Sequence, residues 1–174
     1  MRRCLLAGAT LSFLAAATGA ISEQADDLVL TLVEPCRLLD TRERAAGRPE
    51  PLPIYGPPQL RPGVARSFLV AGQCGVPASA VAVQLNVVAT QPAGRGYLVA
   101  YPADAIGPAT WSLDFERARQ AAANAVVVGV GSGGFDLIAR RSATHLVVDV
   151  VGYYARRGQV RSAGNPQPQP SISR

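Results

Sequence analysis

The stretch ATHLVVDVVGYY, Ala143 to Tyr154, is a valine-rich run that ends on Gly-Tyr-Tyr. A second stretch, PCRLLDTR from Pro35 to Arg42, lies near the opposite end of the chain. Between them, short β-branched runs are interrupted by Gly and Pro, a pattern typical of antiparallel sheets. The sequence therefore predicts a single all-β domain, either an antiparallel β-sandwich or a jelly-roll-like barrel.

Apolar and polar residues alternate along several short segments, most regularly from Val81 to Thr90. The predicted strands are 28–33, 36–41, 65–70, 81–90, 97–101, 111–115, 124–130, 135–139 and 145–154. Gly-containing turns predict two hairpins, 81–90 with 97–101 and 124–130 with 135–139. Trp111 is expected to face the core with Leu113 and Phe115. The segment Glu116 to Ala123 favours a helical turn.

The first 20 residues have the pattern of a secretory signal. Arg2 and Arg3 precede an uncharged run, Cys4 to Ala17, which is followed by small residues. This run is shorter than the ~20 residues that span a bilayer, so we expect export and no stable membrane span after signal removal. An uncleaved N-terminal anchor is the alternative. The predicted organisation is a signal peptide at 1–20, a β-sandwich domain at 21–155 and a disordered, basic, Pro-rich tail at 156–174.

Two cysteines, Cys36 and Cys74, remain after the signal. In an exported chain an even pair favours a disulfide over a metal site or a nucleophile.

The formal charge of +5 is concentrated at the ends of the chain, because the segment from Ile21 to Ala155 contains 11 arginines and 12 acidic residues. A near-neutral domain argues against a nucleic acid partner.

The candidates for chemistry are few, and no catalytic motif stands out. His145 is the only histidine, and Asp149 shares its strand face at roughly 13 Å. A hydrolase would have to use Asp40, His145 and Asp149 together. The simpler interpretation is that Asp40 and Arg42 form a structural ion pair, which could include Asp149.

Tyrosines on a rigid sheet suit sugars or Pro-rich peptides. The candidate ligand-binding residues are Tyr55 in the proline-rich loop 42–63, with Tyr97 and Tyr101 as a platform. The alternative places Tyr97 and Tyr101 in the core. No cofactor or metal site is expected, although Asp26, Asp27 and Asp104 could join a calcium site.

The chain also resembles a β-rich module of unsettled function that recurs in exported actinobacterial and other bacterial proteins. The resemblance runs from about Pro35 to Tyr154, through PCRLLDTR, CGVPASAVAVQLNVVAT, GYLVAYPA, SLDF, NAVVVGVGSGG and THLVVDVVGYY. It implies the fold type and an extracellular setting. Such modules often read Ser-Asn-Leu-Asn-Phe where this chain has Trp111 to Phe115, so Ser112 and Asp114 stand here in place of the two asparagines.

These patterns predict a non-catalytic, secreted or cell-envelope binding module for carbohydrate, cell-wall or protein ligands. A carbohydrate-active or other hydrolase and an architectural, oligomerising subunit are the two alternatives. The sequence does not indicate the oligomeric state.

Overall fold

The structure, a computed structural model, describes residues 27–42 and 54–159. The eight strands in this part of the chain form two four-stranded antiparallel sheets, and the predicted all-β sandwich is confirmed. The strands are β1 (Leu28–Asp40), β2 (Ala65–Leu69), β3 (Ala82–Thr90), β4 (Gly96–Pro102), β5 (Leu113–Phe115), β6 (Ala122–Gly129), β7 (Gly134–Arg140) and β8 (His145–Arg156). The predicted signal and the tail beyond residue 159 lie outside the described residues, as do residues 43–53 of the proline-rich loop.

Strands that follow one another along the chain mostly belong to different sheets. Sheet one has the order β1-β8-β3-β6, and sheet two has the order β2-β7-β4-β5. Both predicted hairpins are therefore wrong, because β3 pairs with β6 and β8 while β4 pairs with β5 and β7. A Gly-containing turn has the same sequence pattern whether it joins neighbours in one sheet or carries the chain across the sandwich.

Strand β1 is continuous, although the sequence predicts two strands there. Its pairing with β8 shifts register between Leu32 and Cys36 and again between Arg37 and Leu39. The first shift contains Pro35, which an edge strand tolerates because its N–H need not join a ladder. At the second shift Leu38 and Leu39 are both fully buried. Asp40 then lies beside Val147, outside the core.

The core lies between the sheets. Alternation in β3 buries every second residue, as predicted. Sheet two contributes three almost fully buried phenylalanines to the core: Phe68, Phe115 and Phe135. The predicted disulfide is present, with Cys36 on β1 joined to Cys74 in the loop after β2 at a Cα–Cα distance of 5.5 Å. The bridge therefore joins sheet one to the connection that leaves sheet two.

The predicted helical turn at Glu116 to Ala123 does not form. The Gln120 side-chain carbonyl accepts hydrogen bonds from the backbone N–H groups of Glu116 and Arg117, and this closes a tight turn. The chain then enters β6, where Ala122 pairs with Ala89. Sheet pairing has overridden the local helix preference of the alanine-rich segment. Within the described part of the chain, no helix has the length and apolar character needed to cross a membrane.

Candidate ligand-binding site

A cleft of about 220 Å³ opens on sheet two where β4 and β5 meet their flanking loops. We call it the β4–β5 cleft. Its lining combines two aromatic rings with four charged side chains: Tyr97, Trp111, Arg95, Arg141, Asp114 and Glu116. Apolar surfaces with a few convergent polar groups are typical of small-ligand sites.

Trp111 lines this cleft, and the expectation that it faces the core is wrong. Its side chain is 64% exposed, whereas Leu113 and Phe115 are buried as predicted. The reason lies in Ser112, whose N–H donates to the Leu98 carbonyl at 2.8 Å while its hydroxyl accepts the Ala100 N–H at 3.0 Å. The serine hydroxyl accepts the Ala100 N–H, which a longer β5 strand would use for backbone pairing. The ladder therefore ends, and the alternation that would turn Trp111 toward the core does not extend to it.

Tyr97 lies beside Trp111 on the face of sheet two that points away from the core. The two ring centroids are 5.9 Å apart and the planes are inclined by 53°. Across the sheet, Tyr97 pairs with Asp114 on β5 and with Arg140 on β7. An aromatic pair flanked by charged groups offers both an apolar contact surface and hydrogen-bond partners.

Tyr101 does not join this platform. It is only 8% exposed and packs with Val99 and Ile138 in a small second cluster on the same face of sheet two. Burial raises the pKa of its phenol, the charge of Asp136 adds to the rise, and Arg140 opposes it. Of the two tyrosines predicted to form a platform, only Tyr97 lines the cleft.

The rim of the cleft carries one ion pair and two further charges. Arg95 Nε lies 3.1 Å from Glu116 Oε2, with both side chains mostly exposed. Arg141 has a φ of 71°, a backbone region that non-glycine residues seldom adopt. The sequence pattern did not predict that these charged residues line a site, and it assigned Trp111 to the core instead. The signal that could have found Trp111 is Gly107-Pro108, which interrupts the strand pattern just before it.

Gly96 lines the cleft and has no room for a side chain. A Cβ at this position would lie 2.6 Å from the Arg140 carbonyl oxygen and 2.8 Å from the Phe115 ring. The backbone of β4 can therefore approach β7 and β5 closely beneath the aromatic pair.

Tyr55, predicted to be a ligand-binding residue, is half-buried and contacts both β1 and β2. Its backbone bridges to Leu39, and its ring meets Phe68 edge-on with centroids 5.3 Å apart. Its hydroxyl accepts the Leu69 N–H at 3.0 Å and lies 3.3 Å from the Leu69 carbonyl. Through these contacts Tyr55 fastens the proline-rich loop to β1 and β2.

The predicted pair of Asp40 and Arg42 is present and belongs to a larger ion network. Arg42 donates to both carboxylate oxygens of Asp40, at 2.9 and 2.7 Å. Arg37 lies between Asp40, at 3.6 Å, and Asp149, to which its Nε donates. Asp40 is buried although both arginines remain partly exposed. The network joins neighbouring strands β1 and β8 on the outer face of sheet one.

His145 does not join this network among the described contacts. Its Nδ1 lies 2.9 Å from the Thr41 carbonyl oxygen and 3.3 Å from the Thr41 hydroxyl. Asp40 and Asp149 each face an arginine rather than the imidazole. The residues proposed for a hydrolase are therefore not brought together by any hydrogen bond in residues 27–42 and 54–159.

Strand β1 presents a run of exposed leucines at the edge of sheet one. Leu28, Leu30 and Leu32 are 51%, 38% and 72% exposed. They belong to an uncharged stretch, Leu28 to Val33, that has no proline or charged residue to block pairing with another strand.

For metal binding, no group of three or more His, Cys, Asp or Glu side chains is placed to hold an ion within residues 27–42 and 54–159. Asp104 and Asp27 lie in this part of the chain, and Asp26 lies outside it.

Comparison of the chain with protein-family models, with curated proteins and with solved structures gives no match in any of the three. The functional proposal therefore rests on the geometry of the cleft.

Proposed function

We propose that this protein is an exported, non-catalytic module that binds carbohydrate of the cell envelope or the extracellular medium in the β4–β5 cleft. The observation that carries the proposal is Trp111, the only tryptophan in the chain, which is 64% exposed beside Tyr97. Together the two rings form a contiguous apolar surface, which is the kind of exposed surface that marks a binding site. Sugar rings have apolar faces and hydroxyl edges that match such a site.

The backbone next to Trp111 is held before any ligand arrives, and the indole ring contacts Tyr97. Ser112 is held by Leu98 and Ala100 on β4, and its carbonyl accepts the Asn124 side-chain N–H at 2.8 Å. A preorganised aromatic ring loses little conformational entropy on binding. This supports recognition by a rigid surface.

Export is supported by the signal pattern of the first 20 residues and by the Cys36–Cys74 disulfide, since such bonds persist in oxidising compartments. The non-catalytic role is supported by the pairing of Asp40 and Asp149 with arginines and of His145 with Thr41. Hydrolysis by two carboxylates requires them to face a substrate across an open cleft.

The test is a binding screen of the exported protein against soluble glycans and purified cell-wall fractions, repeated with Trp111→Ala and Tyr97→Ala. We expect each variant to lose about fivefold or more in affinity, since removal of an aromatic stacking partner costs about 1–3 kcal/mol. Ile106→Ala is the control, because Ile106 is 97% exposed and lies outside the cleft lining. If the parent binds no glycan or wall fraction, or if both cleft variants bind like the control, the proposal fails.

A second candidate function, self-association through β1, is favoured by the exposed leucines at the edge of sheet one. Antiparallel pairing of β1 with β1 of a second copy would cover Leu30 and Leu32 and join two sheets edge to edge. Light scattering across a concentration series tests it. Leu32→Lys should give monomers, whereas Val127→Lys, an exposed position on the opposite edge strand β6, should not. A parent that stays monomeric throughout the series excludes this candidate.

A further inference from the structure

We infer that the β4–β5 cleft selects sugars that carry a carboxylate, with Arg141 as the residue that binds it. This inference rests on the proposed carbohydrate function and names the ligand class for the same site. The observation behind it is the unequal pairing of the charged side chains around Tyr97.

Arg95 is occupied, because its guanidinium pairs with Glu116 at 3.1 Å. Arg141 lines the same cleft, and no carboxylate within residues 27–42 and 54–159 forms an ion pair with it. A guanidinium presents its donors in a planar fork that matches both oxygens of a carboxylate. Arg141 is therefore the group in the cleft that is ready to receive an anion.

The arrangement of the lining charges fits this assignment. The lining holds two arginines and two carboxylates, and with Arg95 paired to Glu116 the remaining cation is Arg141 and the remaining anion is Asp114. Asp114 lies on β5 directly across from Tyr97. Its carboxylate can only accept hydrogen bonds when ionised, so it suits the hydroxyl groups of a sugar. The expected pose places the sugar ring against Trp111, its hydroxyls toward Asp114 and its carboxylate toward Arg141.

The experiment compares two polymers with the same backbone, polygalacturonate and its methyl ester, by isothermal titration calorimetry. We expect the acid form to bind at least tenfold more tightly than the ester, and rising salt to reduce this preference, since screening weakens exposed charge pairs. Arg141→Gln should weaken binding of the acid form by about ten- to a hundredfold, the range expected for a lost charged hydrogen bond, and should weaken binding of the ester to a smaller extent.

Arg61→Gln is the matched control, since it removes the same charge from an exposed residue outside the cleft lining. Equal binding of acid and ester, or tighter binding of partly deacetylated chitin, would overturn the inference while leaving the carbohydrate function standing. An equal loss in Arg141→Gln and Arg61→Gln would also overturn it. Failure of the parent to bind any of these polymers, the wall fractions or the screened glycans would instead overturn the proposed function.

Discussion

Asp40 shows how burial decides the value of a single ion pair. Its side chain is 2% exposed and contacts two arginines, whereas the Asp27–Arg157 pair at 3.4 Å is 67% and 66% exposed on its two sides. Breaking a buried pair leaves charges that water cannot fully solvate, while an exposed pair is exchanged for water at little cost.

We therefore predict that Asp40→Asn lowers the free energy of unfolding by about 1–3 kcal/mol, less than a fully buried pair would lose because both arginines reach solvent. Asp27→Asn should change it by less than about 0.5 kcal/mol. Urea unfolding at neutral pH measures both values. A loss at Asp40 no larger than the loss at Asp27 would show that the network does not stabilise the fold.

Tyr101 gives a prediction for alkaline pH. Its pKa is raised in the folded protein, mainly by burial and then by Asp136. The unfolded chain therefore ionises this phenol first, at about pH 10, and the folded state loses stability as the pH rises above that value. Tyr101→Phe should make the fall in unfolding free energy between pH 9 and pH 11 shallower. An identical fall in both proteins would contradict the assigned environment of Tyr101.

At the scale of elements, the sequence predicted features that depend on local pattern. It did not predict features that depend on pairing between distant strands. The alternation of β3 was sufficient to predict its buried face, because one side of that strand meets only core. The hairpins were wrong because turn residues do not specify which sheet receives the next strand. The predicted burial of Trp111 was wrong because the hydroxyl of Ser112 ends the β4–β5 ladder, so the alternation of the strand does not extend to Trp111. The cleft depends on which strands pair and on where the β4–β5 ladder ends. Its charged residues therefore could not be found from the sequence pattern.

The Cys36–Cys74 disulfide is a link between elements that the sequence did predict. It joins β1 to the loop after β2 across 38 positions of chain, and that segment includes the proline-rich loop. Replacing both Cys36 and Cys74 by Ala should lower the free energy of unfolding by about 2–4 kcal/mol, because the unfolded chain regains the entropy of an open loop. Denaturant unfolding of the oxidised parent and the double variant gives the difference. A change below about 1 kcal/mol would mean that the loop is equally constrained without the bridge.

At the scale of the whole molecule, the core and the cleft lie on different sides of sheet two. Phe68, Phe115 and Phe135 fill the space between the sheets, while Tyr97 and Trp111 lie on the face that points away from it. Substitutions in the cleft should therefore change binding without unfolding the sandwich. This separation makes ligand binding measurable independently of stability.

Trp111 is the only tryptophan, so the tryptophan fluorescence of the protein, excited selectively over its tyrosines, reports on the cleft. The most direct test of the central claim is a fluorescence titration with a glycan or wall fraction from the binding screen, with acrylamide as a neutral quencher. We expect the ligand to shift the Trp111 emission to shorter wavelength and to protect it from acrylamide, since a sugar ring replaces water on this 64% exposed residue. Binding detected by calorimetry with no change in emission or quenching would contradict it.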